Sequence, residues 1–241
     1  LLDEDELAGV LESGGKLSTL IPSFEPRPSQ VRLARDIARA YNEAQWIADQ
    51  GFAVIIADGR GSPGRGPAWE RTIKSDLATF PLQDQVDALH GIAERWPADI
   101  DTDRVGITGW SFGGYLAALA VLRRPDVFHA AVAGAPVTQW RLYDSAYTER
   151  YLGDPVTAAA NYEATSLLPL APGLQRPLMI IHGFADDNVV VAHSVQLSSA
   201  LTAAGCPHTF LPLANVTHMT PQEEVAENLL KLEVEFFIRN L

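Results

Sequence analysis

Cysteine, basic residues and long apolar runs are all scarce in this chain of 241 residues. The single cysteine, Cys206, excludes a disulfide within the chain and argues against a thiolate metal site. Lys and Arg number 18 against 30 Asp and Glu, which gives a net charge of -12 without a basic cluster. Binding to nucleic acid or to an anionic membrane requires clustered positive charge. No segment reaches the roughly 18 consecutive apolar residues of a membrane span. We therefore expect neither a nucleic acid partner nor a membrane partner.

The N-terminal segment LLDEDELAGVLESGG is acidic and contains no basic region followed by an apolar core, so it does not have the pattern of a signal peptide. We therefore expect a cytoplasmic protein. The chain begins with Leu1 instead of Met, and a signal further upstream would not be visible in it. We expect residues 1–29 to be an N-terminal segment that is the remnant of a longer chain, and residues 30–241 to form one catalytic domain.

From about residue 30 onward, apolar runs of strand length alternate with segments of helical periodicity. We predict strands at 52–58, 104–110, 129–136, 177–184 and 208–214. We predict helices at 30–50, 81–96, 112–124, 189–205 and 221–240. The strands are apolar on both faces, which indicates a mostly parallel sheet buried between helix layers, hence an α/β fold. The stretch 137–175 interrupts the alternation and is predicted to pass over the edge where the strands end.

The most informative segment is the G-x-S-x-G motif Gly109-Trp110-Ser111-Phe112-Gly113. It directly follows a predicted strand and precedes a predicted helix, which is the context of a nucleophile elbow. The sharp turn would lift the Ser111 hydroxyl clear of the sheet, and the small residues Gly109 and Gly113 would relieve crowding. The helix N-terminus would present the Phe112 N–H as an oxyanion donor. The alternative is a glycine-rich turn in which Ser111 only caps the helix.

A serine nucleophile requires a general base and an acid that orients it, and in α/β-hydrolases both follow the serine, the acid first. The segment MIIHGFADDN supplies Asp186 and Asp187 after a later strand, and TFLPLANVTHMT supplies His218 after the last strand. We predict Asp186 as the acid because it lies nearer the strand end, with Asp187 as the alternative. The alternative for His218 is a solvated loop histidine. The remaining histidines are weaker candidates for the base. His90 and His193 lie in predicted helices, and His129 and His208 precede the apolar cores of predicted strands. His182 lies on the strand before the acid and is interpreted as a packed core residue.

No pattern for a metal or an organic cofactor is present. The sequence contains no H-E-x-x-H motif, no Cys/His cluster and no G-x-G-x-x-G motif after a strand. The segment GRGSPGRG lacks the following Lys-Ser or Lys-Thr of a phosphate-binding loop and is interpreted as a surface turn. We expect no cofactor.

From about residue 42 to the C-terminus, the chain resembles the catalytic domain of the prolyl oligopeptidase family, and most closely its dipeptidyl peptidase IV branch. The resemblance rests on DGRGSPGRG, GWSFGGYLA, APVTQW followed by YDSAYTERYLG, HGFADDNVV, and the late histidine. It implies an α/β-hydrolase fold and a serine peptidase that cleaves short peptides after Pro or Ala. It also implies Asp186 as the acid and favours a homodimer.

The resemblance further implies a small apolar pocket for proline or alanine, and a hydrogen bond from Asn188 to the substrate backbone. The residues it assigns to the pocket are Phe112, Val137, Trp140, Tyr143, Tyr147 and Val189. Rigid aromatic rings would pack well against a flat pyrrolidine ring. Without the resemblance, the YDSAYTERY stretch would be interpreted as core tyrosines of an amphipathic helix.

Two departures from the family leave the substrate open. Relatives carry a β-propeller ahead of this domain, and nothing in this sequence can encode one. Relatives also have a tyrosine hydroxyl as the second oxyanion donor, where SFEPRPSQ places Phe24 or Glu25. The leading hypothesis is a serine peptidase that acts through an acyl-enzyme. A carboxylesterase with the same triad and a catalytically impaired binding domain are the alternatives.

Overall fold

The computed structural model describes residues 3–10, 12, 42–220 and 222–241. By their contacts these residues divide into a unit within Leu1–Ile55 and a unit within Ile56–Leu241. The first unit contains helix α1 (Glu4–Gly9), whose N-cap Asp3 accepts a hydrogen bond from the Glu6 N–H at 2.8 Å. It also contains helix α2, of which residues 42–49 are described. Gly51 follows α2 at φ 94°, as expected for a helix stop. The rest of the predicted helix 30–50 lies outside the described residues.

The second unit is built on a four-stranded parallel sheet in the order β1-β2-β3-β4. Because Trp110 pairs with Gly134, Gly134 with Ile181 and Gly183 with Leu213, the carboxyl ends of all four strands lie at one edge. The loops that follow the strands therefore meet there, which is where open α/β sheets carry their sites. The strands are β1 (Gly106–Trp110), β2 (Ala130–Gly134), β3 (Leu178–Gly183) and β4 (Thr209–Leu213).

Helices cover the sheet. Val132 and Ile181 pack with Leu229 of the last helix, and residues that point to the opposite face, such as Ala133 and Ile180, are also fully buried. The parallel, doubly covered sheet confirms the predicted α/β class. In chain order the helices are α3 (Pro67–Arg71), α4 (Thr79–Arg95), α5 (Phe112–Arg123), α6 (Ser145–Leu152), α7 (Ala159–Ala164), α8 (Ala192–Ala203) and α9 (Glu223–Asn240).

The stretch 137–175 interrupts the strand–helix alternation, as predicted, but it is mostly helical. Besides α6 and α7 it contains 3₁₀ turns at Trp140–Leu142 and Leu168–Gly173. Asp144 caps the N-terminus of α6, because its carboxylate accepts a hydrogen bond from the Tyr147 N–H at 2.9 Å. Gly153, with φ 85°, caps the C-terminus.

The strand predicted at 52–58 is wrong: among the described residues, this segment takes part in no strand pairing. Val54 and Ile56 expose 38% and 78% of their surface, which is unlike the fully buried β2 and β3. An apolar run has the composition of a strand, but a strand also requires a neighbouring backbone that accepts and donates its hydrogen bonds.

Candidate active site

The predicted nucleophile lies on a strained turn between β1 and α5. Ser111 has φ 60° and ψ -114°, a backbone conformation that non-glycine residues rarely adopt. Its N–H donates to the Gly134 carbonyl at 2.8 Å, and its own carbonyl accepts the Tyr115 N–H at 2.9 Å. Phe112 is the first residue of α5, and the N–H of a first helical residue has no acceptor within its helix. This N–H is therefore available as a hydrogen-bond donor beside Ser111.

Close packing around the turn explains two of its three glycines. A Cβ at Gly109 would lie 2.6 Å from the Gly113 carbonyl, and a Cβ at Gly114 would lie 2.2 Å from the Gly134 carbonyl oxygen. A Cβ at Gly113 would meet nothing within 4 Å. The prediction that Gly113 relieves crowding is therefore wrong, and Gly114 has that role instead. It allows α5 to approach the end of β2.

The acid and the base of the predicted triad are in contact. The His218 Nδ1 lies 2.8 Å from the Asp186 Oδ2, and the side chain of Asp186 has 0% exposure. The other carboxylate oxygen of Asp186 accepts the N–H groups of Asn188 at 3.0 Å and Val189 at 2.8 Å. Three donors therefore hold the buried carboxylate. Asp187, the alternative acid, is exposed.

Ser111 and His218 are brought to the same edge of the sheet but are not directly bonded. Within the described residues, no hydrogen bond joins the Ser111 hydroxyl to the His218 imidazole. The two loops are linked instead through Trp110, whose indole N–H donates to the His218 carbonyl at 2.7 Å. The His218 side chain is 15% exposed, so the imidazole is open to solvent and to substrate. Triad bonds in the absence of substrate are often long and shorten only in the reacting complex.

A second histidine, His182 on β3, supports the acid loop. One ring nitrogen, Nε2, donates to the Val189 carbonyl at 2.7 Å and lies 3.4 Å from the Asp186 carboxylate. The other, Nδ1, accepts the hydroxyl of Ser194 at 2.6 Å. Burial lowers the pKa of His182 and keeps it neutral. The interpretation as a packed core residue did not anticipate this contact with the acid, for which the sequence carries no signal.

Four of the six predicted pocket residues form a cluster of aromatic rings. Trp140 stacks on Tyr147 with 6.0 Å between ring centroids, and Tyr143 meets Tyr147 edge-on at 5.5 Å. Phe112 lies 6.1 Å from Trp140. Phe112, Tyr143 and Tyr147 are partly exposed, whereas Trp140 and the other two predicted residues, Val137 and Val189, are buried. The exposed rings can contact a ligand, and the buried residues can only support them.

The tyrosine hydroxyls of this cluster are protonated at neutral pH. Burial raises the pKa of Tyr147 to about 12, so its hydroxyl stays protonated at neutral pH. Burial also raises the pKa of Tyr143, whose hydroxyl donates to the Asn188 Oδ1 at 3.0 Å. The Asn188 Oδ1 accepts this hydrogen bond, and its NH₂ group is the donor of the same amide. The arrangement is compatible with the predicted hydrogen bond between Asn188 and the substrate backbone, which stays a prediction.

A third histidine, His193 in α8, fixes the chain that leads into the aromatic cluster. Its Nδ1 accepts the Thr138 N–H at 3.2 Å, and the Thr138 hydroxyl donates to the His193 carbonyl at 2.7 Å. His193 is fully buried, and this burial lowers its pKa to about 4. Protonation would remove the acceptor on Nδ1, so the contact requires the neutral ring.

Stability should therefore fall as the pH is lowered. The pKa of His193 is about 4 in the folded chain, and a histidine in an unfolded chain titrates near 6.5. The unfolded state consequently takes up the proton first. Urea unfolding should show a loss of about 2 kcal/mol between pH 7 and pH 5 from this residue alone. The pKa of the buried His182 is also lowered, so this residue acts in the same direction.

In a His193→Gln variant, most of this decrease in unfolding free energy between pH 7 and pH 5 should disappear. The exposed control His90→Gln should show the same decrease as wild type. Equal pH dependence in all three proteins would contradict the assignment.

Three further expectations concern the second oxyanion donor, a metal site and a membrane span. Phe24 and Glu25, one of which the resemblance sets in place of the family's tyrosine donor, lie outside the described residues. In the part of the chain that is described, no group of three or more His, Cys, Asp and Glu residues could hold a metal ion. None of the described helices is both long enough and apolar enough to cross a membrane.

Comparison with known proteins finds a matching family model and several relatives of this chain. The model of the prolyl oligopeptidase family matches residues 38–241. Dipeptidyl peptidase 8 of Homo sapiens is 39% identical over 203 residues, which are 82% of this chain and 22% of that protein. Dipeptidyl peptidase 4 of Bos taurus is 36% identical over 168 residues, or 68% of this chain and 22% of that protein.

The crystal structure of Porphyromonas gingivalis dipeptidyl peptidase 4 matches with a TM-score of 0.72 and 35% identity, over 76% of this chain and 26% of that one. With the family match, this identifies the fold as the α/β-hydrolase fold. The chain spans about a fifth of the length of the curated relatives it matches.

Proposed function

Because this chain belongs to the prolyl oligopeptidase family, we propose that it is a serine peptidase that cleaves short peptides after proline or alanine through an acyl-enzyme. One observation carries the proposal. The 2.8 Å contact between His218 and the buried carboxylate of Asp186 lies at the sheet edge where Ser111 occupies a strained elbow. An imidazole oriented by a carboxylate beside a serine is the arrangement that converts a hydroxyl into a nucleophile.

In the proposed reaction, Ser111 attacks the carbonyl carbon of the scissile bond while the His218 Nε2 accepts the hydroxyl proton. Asp186 holds the proton on Nδ1 and stabilises the imidazolium that forms. The Phe112 N–H donates to the developing oxyanion. His218 then protonates the leaving amine, and water cleaves the acyl-enzyme by the same steps in reverse.

The preference for proline or alanine would come from the aromatic cluster. The rings of Tyr143 and Tyr147 meet edge-on and form a small, rigid apolar surface. Phe112 joins this cluster through Trp140, which lies 6.1 Å from it and stacks on Tyr147. A pyrrolidine ring or a methyl group would fill such a surface, and a larger side chain would collide with rings that are already packed. Asn188 would orient the peptide through its amide NH₂, since Tyr143 already occupies its oxygen.

A carboxylesterase with the same triad is the second candidate. It is favoured by the resemblance to the family, which sets Phe24 or Glu25 at the position of the family's tyrosine donor. Loss of one oxyanion donor typically costs about 3 to 4 kcal/mol of transition-state stabilisation. Amides have the higher barrier and would show this loss more clearly than esters. A domain that binds substrate without cleaving it is the third candidate.

Matched substrates distinguish these candidates. We expect the chain to cleave proline-linked and alanine-linked chromogenic amides, with kcat/KM at least about tenfold above that for the leucine-linked amide, because one misfitting group costs 1 to 3 kcal/mol. The corresponding ester of each acyl group serves as the control. Ester turnover without amide turnover would favour the carboxylesterase. Failure of a fluorophosphonate to label the chain would favour the binding domain.

Three broader assignments belong to the same proposal. Residues 30–241 would form the catalytic domain, with residues 1–29 as a segment of a longer chain. The protein would be cytoplasmic and would pair as a homodimer. Analytical ultracentrifugation tests the homodimer, because two chains of 26.2 kDa would give twice the mass of the monomer.

A further inference from the structure

Trp110 connects the two loops that carry the proposed nucleophile and base. It is the last residue of β1 and immediately precedes Ser111. Its indole N–H donates to the carbonyl of His218 at 2.7 Å, across 108 positions of sequence. The triad mechanism uses neither the indole nor this carbonyl, so the contact has no part in the chemistry described above.

The indole is held in place by the sheet. A Cβ added to Gly134 would lie 2.0 Å from the six-membered ring of Trp110, so the ring rests directly on the glycine that ends β2. The carbonyl of the same Gly134 accepts the N–H of Ser111 at 2.8 Å. The elbow backbone and the Trp110 ring are therefore fixed by the same residue, and the direction of the indole N–H follows from the packing.

Among the described residues, the other hydrogen bonds between the His218 loop and neighbouring segments lie on the side of the acid. The Ala185 N–H donates to the Val216 carbonyl at 3.1 Å, and a Cβ at Gly183 would lie 2.2 Å from that same oxygen. The His218 side chain bonds to Asp186. Within the described part of the chain, the Trp110 indole makes the one hydrogen bond that ties this loop to the elbow.

We propose that Trp110 is a positioning residue whose indole N–H sets the distance between the His218 imidazole and the Ser111 hydroxyl. This inference rests on the proposed function of the triad. A base that is oriented by its acid but not held against the nucleophile would spend less time within reach of the hydroxyl proton. Misplacement of a reacting group by about 1 Å can cost up to a hundredfold in rate.

The test is Trp110→Phe, which keeps an aromatic ring over Gly134 and removes the N–H. The matched control is Trp69→Phe, because the Trp69 indole also donates to a backbone carbonyl, that of Gly59 at 3.1 Å, in a loop that carries no triad residue. In Trp110→Phe we expect kcat and the rate of fluorophosphonate labelling to fall together, about tenfold, with KM within about twofold of wild type. Trp69→Phe should label at the wild-type rate.

Hydrogen–deuterium exchange gives a readout that does not depend on catalysis. A peptide that covers residues 214–220 should exchange faster in Trp110→Phe and at the wild-type rate in Trp69→Phe. Unchanged labelling together with unchanged exchange would overturn the inference. A raised KM with unchanged kcat would overturn it as well, since Trp110 would then contact substrate instead of positioning the base. If the wild-type chain itself is not labelled, the proposed function fails, and exchange at 214–220 still decides whether the indole holds the loop.

Discussion

Replacing Ser111 by alanine should lower kcat by about a million-fold and abolish labelling by a fluorophosphonate. The expected effect is this large because the other members of the triad act only through the serine oxygen. Without it, His218 and Asp186 have no proton to transfer. Substrate should still bind, because the aromatic rings of the pocket are unchanged, so KM or the dissociation constant of a competitive inhibitor should stay within a few-fold of wild type.

Folding effects must be separated from loss of the nucleophile. The elbow backbone of Ser111 is strained at φ 60°, and alanine tolerates that conformation no better than serine does. Thermal unfolding of Ser111→Ala should therefore stay close to that of wild type. Ser199→Ala, on the exposed surface of α8, provides a serine-to-alanine control with full activity. Retention of labelling in Ser111→Ala would remove Ser111 from the mechanism.

Replacing Asp186 by asparagine should lower kcat about ten-thousand-fold, whereas the same change at the neighbouring Asp187 should leave it within about threefold. The Asp186 carboxylate is fully buried and 2.8 Å from the His218 Nδ1. An amide in its place can stabilise neither the imidazolium nor the correct ring tautomer. Asp187 is exposed, and its charge is screened by water.

The pair of substitutions resolves the alternative that the sequence left open, because the two residues are adjacent and chemically identical. Measurement of kcat/KM and of fluorophosphonate labelling for both variants is sufficient. Asp186→Asn should also lose stability, since its side chain accepts two backbone N–H groups as well as the histidine. A larger loss of activity in Asp187→Asn than in Asp186→Asn would show that Asp187, and not Asp186, is the acid.

The order of strands and helices could be predicted from the sequence because each has a local signature. The runs at β2 and β3 are buried along their whole length, Ser111 directly follows β1, and Asp186 lies three residues after the end of β3. Parallel strands bring their carboxyl ends to one edge whatever their separation in the chain. That rule alone places Ser111, Asp186 and His218 near one another, and the structure does bring Asp186 and His218 into contact.

The wrong predictions share a cause, which is that they concern partners distant in the chain. The run at 52–58 has strand composition but pairs with no strand in the described residues. Gly113 resembles its neighbours in the motif, yet the contact that requires a glycine is made by Gly114 against the carbonyl of Gly134. Nothing local to either segment indicates which backbone lies opposite.

The sequence by itself determined the class of fold, the elbow at Ser111 and the two short segments that supply an acid and a base, because these depend on local periodicity and on residue type. Only the tertiary structure decided that Asp186 and not Asp187 faces His218, and that Trp110 reaches the carbonyl of His218. Hydrogen bonds of about 3 Å depend on the orientation of side chains from separate loops. That orientation is set by packing across the sheet and leaves no regular pattern in the chain.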